Sequence, residues 1–273
     1  MHTKEEKLES IGRLLDIMVE LRKKCPWNAA QTHETLRPLT LEEVFELSDA
    51  VLQKNDSDTE KELGDLLLHV IFYAKVAEEE GKYDIADIAL RECEKMIFRH
   101  PHVFGDGEKE TDAASVSENW ELRKRMENGG KRHILDGVPE SAPSVLKAMQ
   151  IQRKARDVGF DWEKKEDVWA KVREEVDEFE DELRAMAASG EGPVFDAARD
   201  RAEDELGDFM FATVNAARLY GLDPEVALSR ACAKFRRRFT YLEDNTMGKG
   251  RLLKDMTLSE MDEIWDEAKA KGL

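Results

Sequence analysis

Two acidic arrays, E-E-x-x-E followed by E-L-G-D, occur twice in this chain. The first copy is Glu42, Glu43 and Glu46, then Glu62, Leu63, Gly64 and Asp65. The second is Glu174, Glu175 and Glu178, then Glu205, Leu206, Gly207 and Asp208. Residues three and four apart on a helix share a face. Glu43/Glu46 and Glu62/Asp65 are therefore two carboxylate pairs, matched by Glu175/Glu178 and Glu205/Asp208. Two such pairs on facing helices make a cage of hard oxygen ligands. That cage suits Mg2+, with Mn2+ as a substitute, and magnesium sites commonly hold phosphates.

The arrangement works against the helix that carries it. Like charges at i,i+4 cost roughly 0.2–0.5 kcal/mol per pair. Crowded carboxylates also raise one another's pKa unless a cation compensates. A solvated acidic face is the bland alternative, and 37% of the residues are charged. A single copy would not decide between the two. The duplicated order of both arrays, with an identical E-L-G-D in each, favours a ligand set.

A basic motif recurs as well. Lys95 and Arg99 bound a K-x-x-x-R, and Lys234 and Arg238 bound another. That spacing puts lysine and arginine on one helix face, where they can hold phosphate oxygens. Pairing with nearby acids or with the helix dipole is the alternative, and the recurrence favours phosphate. Tryptophans stand near the end of each half, Trp120 and Trp265. Trp265 can stack on a base or pack a helix end. No glutamate stands three before a histidine: Ala30 precedes His33, Leu66 precedes His69 and Ile97 precedes His100. The E-x-x-H pair of di-iron bundles is therefore missing, and oxygen-only cages favour a hard divalent cation.

The elements that must position these groups are helical nearly throughout. Leu8, Ile11, Leu14, Leu15, Met18 and Leu21 stripe a first helix. Pro26 and Pro38 punctuate an expected loop, and Thr40 is placed to cap the helix carrying Glu42–Glu46. Helices are expected over about 58–80, ended by Gly81, and over about 85–99, stopped by His100 and Pro101. Gly129, Gly130, Gly137, Pro139 and Pro143 mark a linker over 129–143. Helices then resume over about 144–157, 165–188, 196–220, 224–244 and 259–271. No alternating strand pattern is bounded by turn residues. The reading is all-α: two tandem helical-bundle domains, 1–128 and 144–273, related by an internal duplication.

Composition narrows the partners. A net charge of −18 argues against a nucleic-acid backbone. An anionic substrate would need a metal or a local basic patch. No run approaches a membrane span, and the three cysteines are scattered without a C-x-x-C, which fits a cytoplasmic protein.

The chain resembles the tandem-domain MazG family of nucleoside triphosphate pyrophosphohydrolases from about Leu8 to Lys269. The resemblance rests on Cys25-Pro26-Trp27, Thr40–Glu43, Glu62–Asp65, Arg99–Phe104, Val158–Trp162 and Glu205–Asp208. It implies cleavage of nucleoside triphosphates between the α and β phosphates, magnesium dependence and a homodimer. It also implies that Glu175, Glu178, Glu205 and Asp208 ligate metal, that Lys171, Arg201, Lys234 and Arg238 meet the triphosphate, and that Trp265 contacts the nucleotide. Glu174, beside the ligand pair, is the candidate base for the attacking water. The second site would draw on Glu42, Glu43, Glu46, Glu62, Asp65, Lys95, Arg99 and Trp120.

The halves are unequal in basic groups. Leu39 occupies the place of Lys171, and Asp58 that of Arg201. The expectation is an N-terminal half that binds metal but turns over triphosphates weakly or takes another ligand. A regulatory nucleotide-binding dimer is the competing class, and the intact carboxylates in both halves favour the enzyme.

Overall fold

The computed structural model describes residues 1–105, 123 and 133–273. Every regular element among them is helical. The chain divides into two compact units, Met1–Glu127 and Asn128–Leu273.

In unit 1, α1 (Lys4–Lys24) is opened by a capping box in which Thr3 and Glu6 satisfy each other's backbone N–H groups. A short α2 (Pro26–Ala29) follows, then α3 (His33–Gln53), α4 (Asp56–Glu79), α5 (Ile85–Arg99) and a short α6 (Pro101–Phe104). The core joins Met18, Leu36, Ile71, Phe72 and Val76. Arg22 pins the turn between α1 and α3. Its guanidinium donates to the carbonyls of Asn28, Ala29 and Gln31 and pairs with Glu79 at 2.5 Å.

Two expectations fail here. Pro26 does not sit in a loop but at the first turn of α2, where its missing N–H costs nothing. Pro38 lies inside α3, where its missing N–H forgoes the bond to the carbonyl four residues back and the helix continues. Thr40 is consequently not a cap. Thr32 caps α3, accepting from the Thr35 backbone, and Thr40 sits one helical turn beyond Leu36 within the same helix. Its hydroxyl lies 2.7 Å from His69 Nδ1 and 2.9 Å from the Tyr73 hydroxyl, a polar junction between α3 and α4.

In unit 2, α7 spans Ser144–Arg156, α8 Val168–Ala188, α9 Pro193–Leu219, α10 Pro224–Thr246 and α11 Leu258–Ala270. A 3-10 turn over Lys165–Asp167 leads into α8. α9 starts at Pro193, three residues before the expected start, because proline suits the first helical position after Gly192. Asp223 caps α10, with Pro224 following it. The main contact of the unit is α8 against α9, built on Val168, Val172, Ala212 and Ala216. The small Ala212 and Ala216 let the two helices approach closely.

The two units end their E-L-G-D helices alike. Gly81 (φ 69°) and Gly221 (φ 68°) take the left-handed conformation just past α4 and α9. Each is followed by a backbone N–H that reaches back to the helix, Lys82 to Ala77 and Leu222 to Ala217. Trp120 and the 106–122 and 124–132 portions of the expected first domain and linker lie outside the described residues.

Candidate active site

The helix pairing brings the acidic arrays together in both units. In unit 1, carboxylate oxygens of Glu43 on α3 and of Glu62 and Asp65 on α4 all lie within 4.8 Å of one another. In unit 2 the same holds for Glu175 on α8 and for Glu205 and Asp208 on α9. Each trio takes one residue from E-E-x-x-E and two from E-L-G-D. Glu46 and Glu178, the fourth members of the expected cages, stay exposed at their edges.

Electrostatics report the crowding. Burial, then Asp65, Glu46 and Glu62, raise the Glu43 pKa. Burial, then Glu178, Asp208 and Glu175, raise that of Glu205. Glu62 and Glu175 are each only 5% exposed. Burying an ionised carboxylate is costly unless it gains a cation or donors. Glu62 Oε2 is buried and has no hydrogen-bond partner.

The basic residues divide. Lys171 bridges Glu174 at 2.9 Å and Glu175 at 2.7 Å, and those bonds raise its pKa. Arg201 reaches from α9 to Glu182 on α8, at 2.8 Å. Glu182, unremarked in the sequence, also adds to the charge around Glu205. Arg238 stacks over Trp265 at 5.9 Å and donates to the Leu273 carbonyl at 2.7 Å. Trp265 packs on Phe235 at 5.0 Å, and Lys234 is exposed on α10. Arg238, Trp265 and Phe235 form a cluster between α10 and α11 that reaches the C-terminal Leu273 carbonyl. In unit 1, Glu42 is exposed, Lys95 pairs with Glu92, and Arg99 is buried at the end of α5.

Lys61 was not foreseen. Its ammonium lies 2.7 Å from Glu62, 3.7 Å from Asp65 and 3.9 Å from Glu46. The signal was its place beside Glu62, obscured because i and i+1 side chains ordinarily diverge on a helix. Its counterpart in unit 2 is Asp204.

Comparison with known proteins agrees with the duplication. The family model for the MazG nucleotide pyrophosphohydrolase domain matches residues 31–104 and 163–242. The chain is 40% identical over 271 residues to the nucleoside triphosphate pyrophosphohydrolase of Escherichia coli strain K12, covering 97% of this chain and 99% of that protein. It is 37% identical over 261 residues to the nucleoside triphosphate pyrophosphohydrolase/pyrophosphatase MazG of Thermotoga maritima, covering 94% of each. It is 41% identical to the uncharacterized protein YabN of Bacillus subtilis, covering 97% of this chain and 53% of that protein.

Proposed function

The chain belongs to the MazG nucleotide pyrophosphohydrolase family, and from that premise we propose that it hydrolyses nucleoside triphosphates to the monophosphate and diphosphate. The observation that carries the reading is the carboxylate trio, formed twice where two consecutive helices of a unit pack together. An all-oxygen donor set fits Mg2+, or Mn2+ in its place. The buried, unpartnered oxygen of Glu62 is the kind of atom such an ion satisfies.

In unit 2, Glu175, Glu205 and Asp208 would hold the cation, with Glu178 at the edge of the group. A divalent cation held there would supply positive charge to offset that of the phosphates and of the departing diphosphate. Glu174 takes the proton of a water that attacks the α-phosphorus, and the bond to the bridging oxygen of the diphosphate breaks. Lys171 fixes the carboxylates of Glu174 and Glu175 relative to each other. It can exchange one of them for a phosphate oxygen, as an ammonium with three donors can. Arg201, Lys234 and Arg238 supply further positive charge for the triphosphate, and Trp265 a ring for the nucleotide. These assignments rest on the resemblance to the family, with the contacts of Lys171 to Glu174 and Glu175 in support.

Unit 1 we read as a metal-binding relative of this site with weak turnover, because Leu39 and Asp58 replace two basic residues. The domains are read as 1–128 and 144–273 around a 129–143 linker. Exposed Val44, Phe45 and Leu63 on α3 and α4 support a homodimer that covers them. No described helix is long and apolar enough to cross a membrane. A cytoplasmic role in controlling nucleotide pools, without nucleic acid as partner, suits the acidic charge and free cysteines.

The test is incubation of the full chain with the common nucleoside triphosphates and Mg2+, with products separated by chromatography. Monophosphate plus diphosphate is expected. Nucleoside diphosphate plus phosphate would overturn the assigned bond.

A further inference from the structure

Arg201 stands four residues before Glu205, on the same face of α9. Its guanidinium crosses to α8 and donates from Nε to Glu182 Oε2 at 2.8 Å, and it donates from Nη1 to the Ala197 carbonyl at 3.2 Å. We propose that Glu182 is a positioning residue for the triphosphate, anchoring Arg201 so that the rest of its N–H groups are kept for phosphate oxygens. The inference rests on the triphosphate reading above and adds to it a residue that acts only through the arginine.

The bonds decide between holding Arg201 and blocking it. A guanidinium carries five N–H donors in a fixed fork. A carboxylate bound in bidentate fashion along the Nη1–Nη2 edge would take the donors that a phosphate needs. Glu182 instead takes Nε, and the Ala197 carbonyl takes one hydrogen of Nη1. Two anchors at different points of one plane fix its orientation. The Arg201 side chain is 54% exposed, so without them it would sample many rotamers. Ordering it before the substrate arrives removes that cost from binding.

The pair lies beside the trio. Glu182 follows Glu178 by four residues and Glu175 by seven, which puts all three on one face of α8. It is close enough to Glu205 to add to the negative charge around that carboxylate. A further acid there works against an already crowded cluster. Its partnership with Arg201 is the role that offsets this.

Unit 1 separates that role from the assembly of the trio. Counted from E-E-x-x-E, the place of Glu182 is held by Ala50, which is buried. Counted from E-L-G-D, the place of Arg201 is held by Asp58, which accepts from the Asn55 side chain at 2.6 Å. Unit 1 therefore forms its trio with neither member of the pair. The glutamate accompanies the arginine, and both are missing from the same unit.

The experiment is steady-state hydrolysis of a nucleoside triphosphate by the full chain with Mg2+, beside calorimetric binding of inorganic tripolyphosphate. The variants are Glu182→Ala, Glu182→Gln, Arg201→Ala and the Glu182→Ala/Arg201→Ala double variant. Arg201→Ala should raise KM by about tenfold, the scale of one lost charged hydrogen bond. Glu182→Ala should raise KM by about three- to tenfold and leave kcat within about twofold, because it loosens binding common to substrate and transition state. Glu182→Gln should recover most of that loss, since its amide oxygen still accepts from Nε. The double variant should be no worse than Arg201→Ala alone. Additive losses, an unchanged KM in either single alanine variant, or a loss confined to kcat would overturn the inference. So would a matching fall in Mn2+ affinity of Glu182→Ala, read by electron paramagnetic resonance, because it would make Glu182 a metal ligand. The activity and the pair fail separately. A wild type that hydrolyses no triphosphate would sink the activity, while weaker tripolyphosphate binding in Glu182→Ala would leave the pair standing. Hydrolysis with the same KM in wild type and Glu182→Ala would do the reverse.

Discussion

Lys61 Nζ lies 2.7 Å from Oε1 of the buried Glu62, so the carboxylates of unit 1 carry a cation from their own chain. That ammonium touches both helices of the site, Glu46 on α3 and Asp65 on α4. In unit 2, Lys171 pairs only with carboxylates of α8, and among the described residues no lysine or arginine pairs with Glu205 or Asp208. The two trios have similar geometry and different competition for a metal ion.

Lys61 must therefore be displaced, at least in part, when a divalent cation enters unit 1. Each exposed pair is worth roughly 0.2–1 kcal/mol, so removing Lys61 should tighten Mn2+ binding there by about three- to tenfold. Electron paramagnetic resonance titration of Lys61→Ala in a Glu175→Ala background isolates the unit 1 site. Unchanged or weaker binding would show that the lysine does not compete.

Ligand removal should affect the two units unequally. Glu175→Ala deletes the one buried carboxylate of the unit 2 trio and should lower kcat/KM by at least about a hundredfold, the usual scale for losing a central electrostatic element. Glu43→Ala changes only unit 1 and should leave more than about half the activity, since that unit lacks the basic groups at the Lys171 and Arg201 positions. Comparable losses in both variants would show that unit 1 contributes to turnover or to the stability of the active assembly.

The Asp161–Arg218 pair gives a pH-dependent prediction. The hydrogen bonds from Arg218 hold the Asp161 carboxyl below its ordinary 3.8. A lowered folded-state pKa means the stabilisation is present above the unfolded value and is lost as pH falls through the folded one. Asp161→Asn should cost about 1–3 kcal/mol at pH 7, and the gap should narrow as pH falls below 3.8 toward the lowered folded-state value. Urea unfolding at pH 7 and pH 3 measures both. A gap that persists undiminished in acid would mean packing, not charge, sets the difference.

Much of this arrangement could be read before any coordinates. The 3.6-residue period gave the helices because apolar and acidic positions recur on opposite faces, and Gly81 and Gly221 ended their helices because left-handed backbone favours glycine. Carboxylate pairs were legible for the same reason, since i,i+3 spacing fixes a face. Pro38 and Thr40 misled, because the real start of α3 lies at Thr32, upstream of the proline. Lys61 and Glu182 were invisible because their roles depend on which helix packs opposite. The cavity of unit 2 that Gln152, Phe211 and Asn215 help to line was invisible for a deeper reason. It exists because Phe211, Gln152 and the turn at Gly159 meet there, and nothing local distinguishes Asn215 from any other polar residue on a helix.

The junction at Thr40 makes the last prediction. One hydroxyl lies within hydrogen-bond reach of the Leu36 carbonyl, His69 Nδ1 and the Tyr73 hydroxyl. His69 is buried, and that burial lowers its pKa and favours the neutral ring. A neutral, buried imidazole nitrogen needs a partner from the protein. Thr40→Val keeps the shape and removes the hydroxyl, so it orphans His69 Nδ1 and one bond of Tyr73. The expected loss is about 1–3 kcal/mol, the usual cost of leaving buried polar groups unsatisfied. Because the change is confined to unit 1, it should lower the urea midpoint of that unit's transition and leave hydrolysis by unit 2 intact at low denaturant. Parallel curves for activity and for far-ultraviolet circular dichroism separate the two. A shift below about 0.5 kcal/mol would mean that His69 and Tyr73 find other partners when the hydroxyl is gone. The α3–α4 contact would then rest on its apolar residues, with Leu36 and Phe72 carrying it.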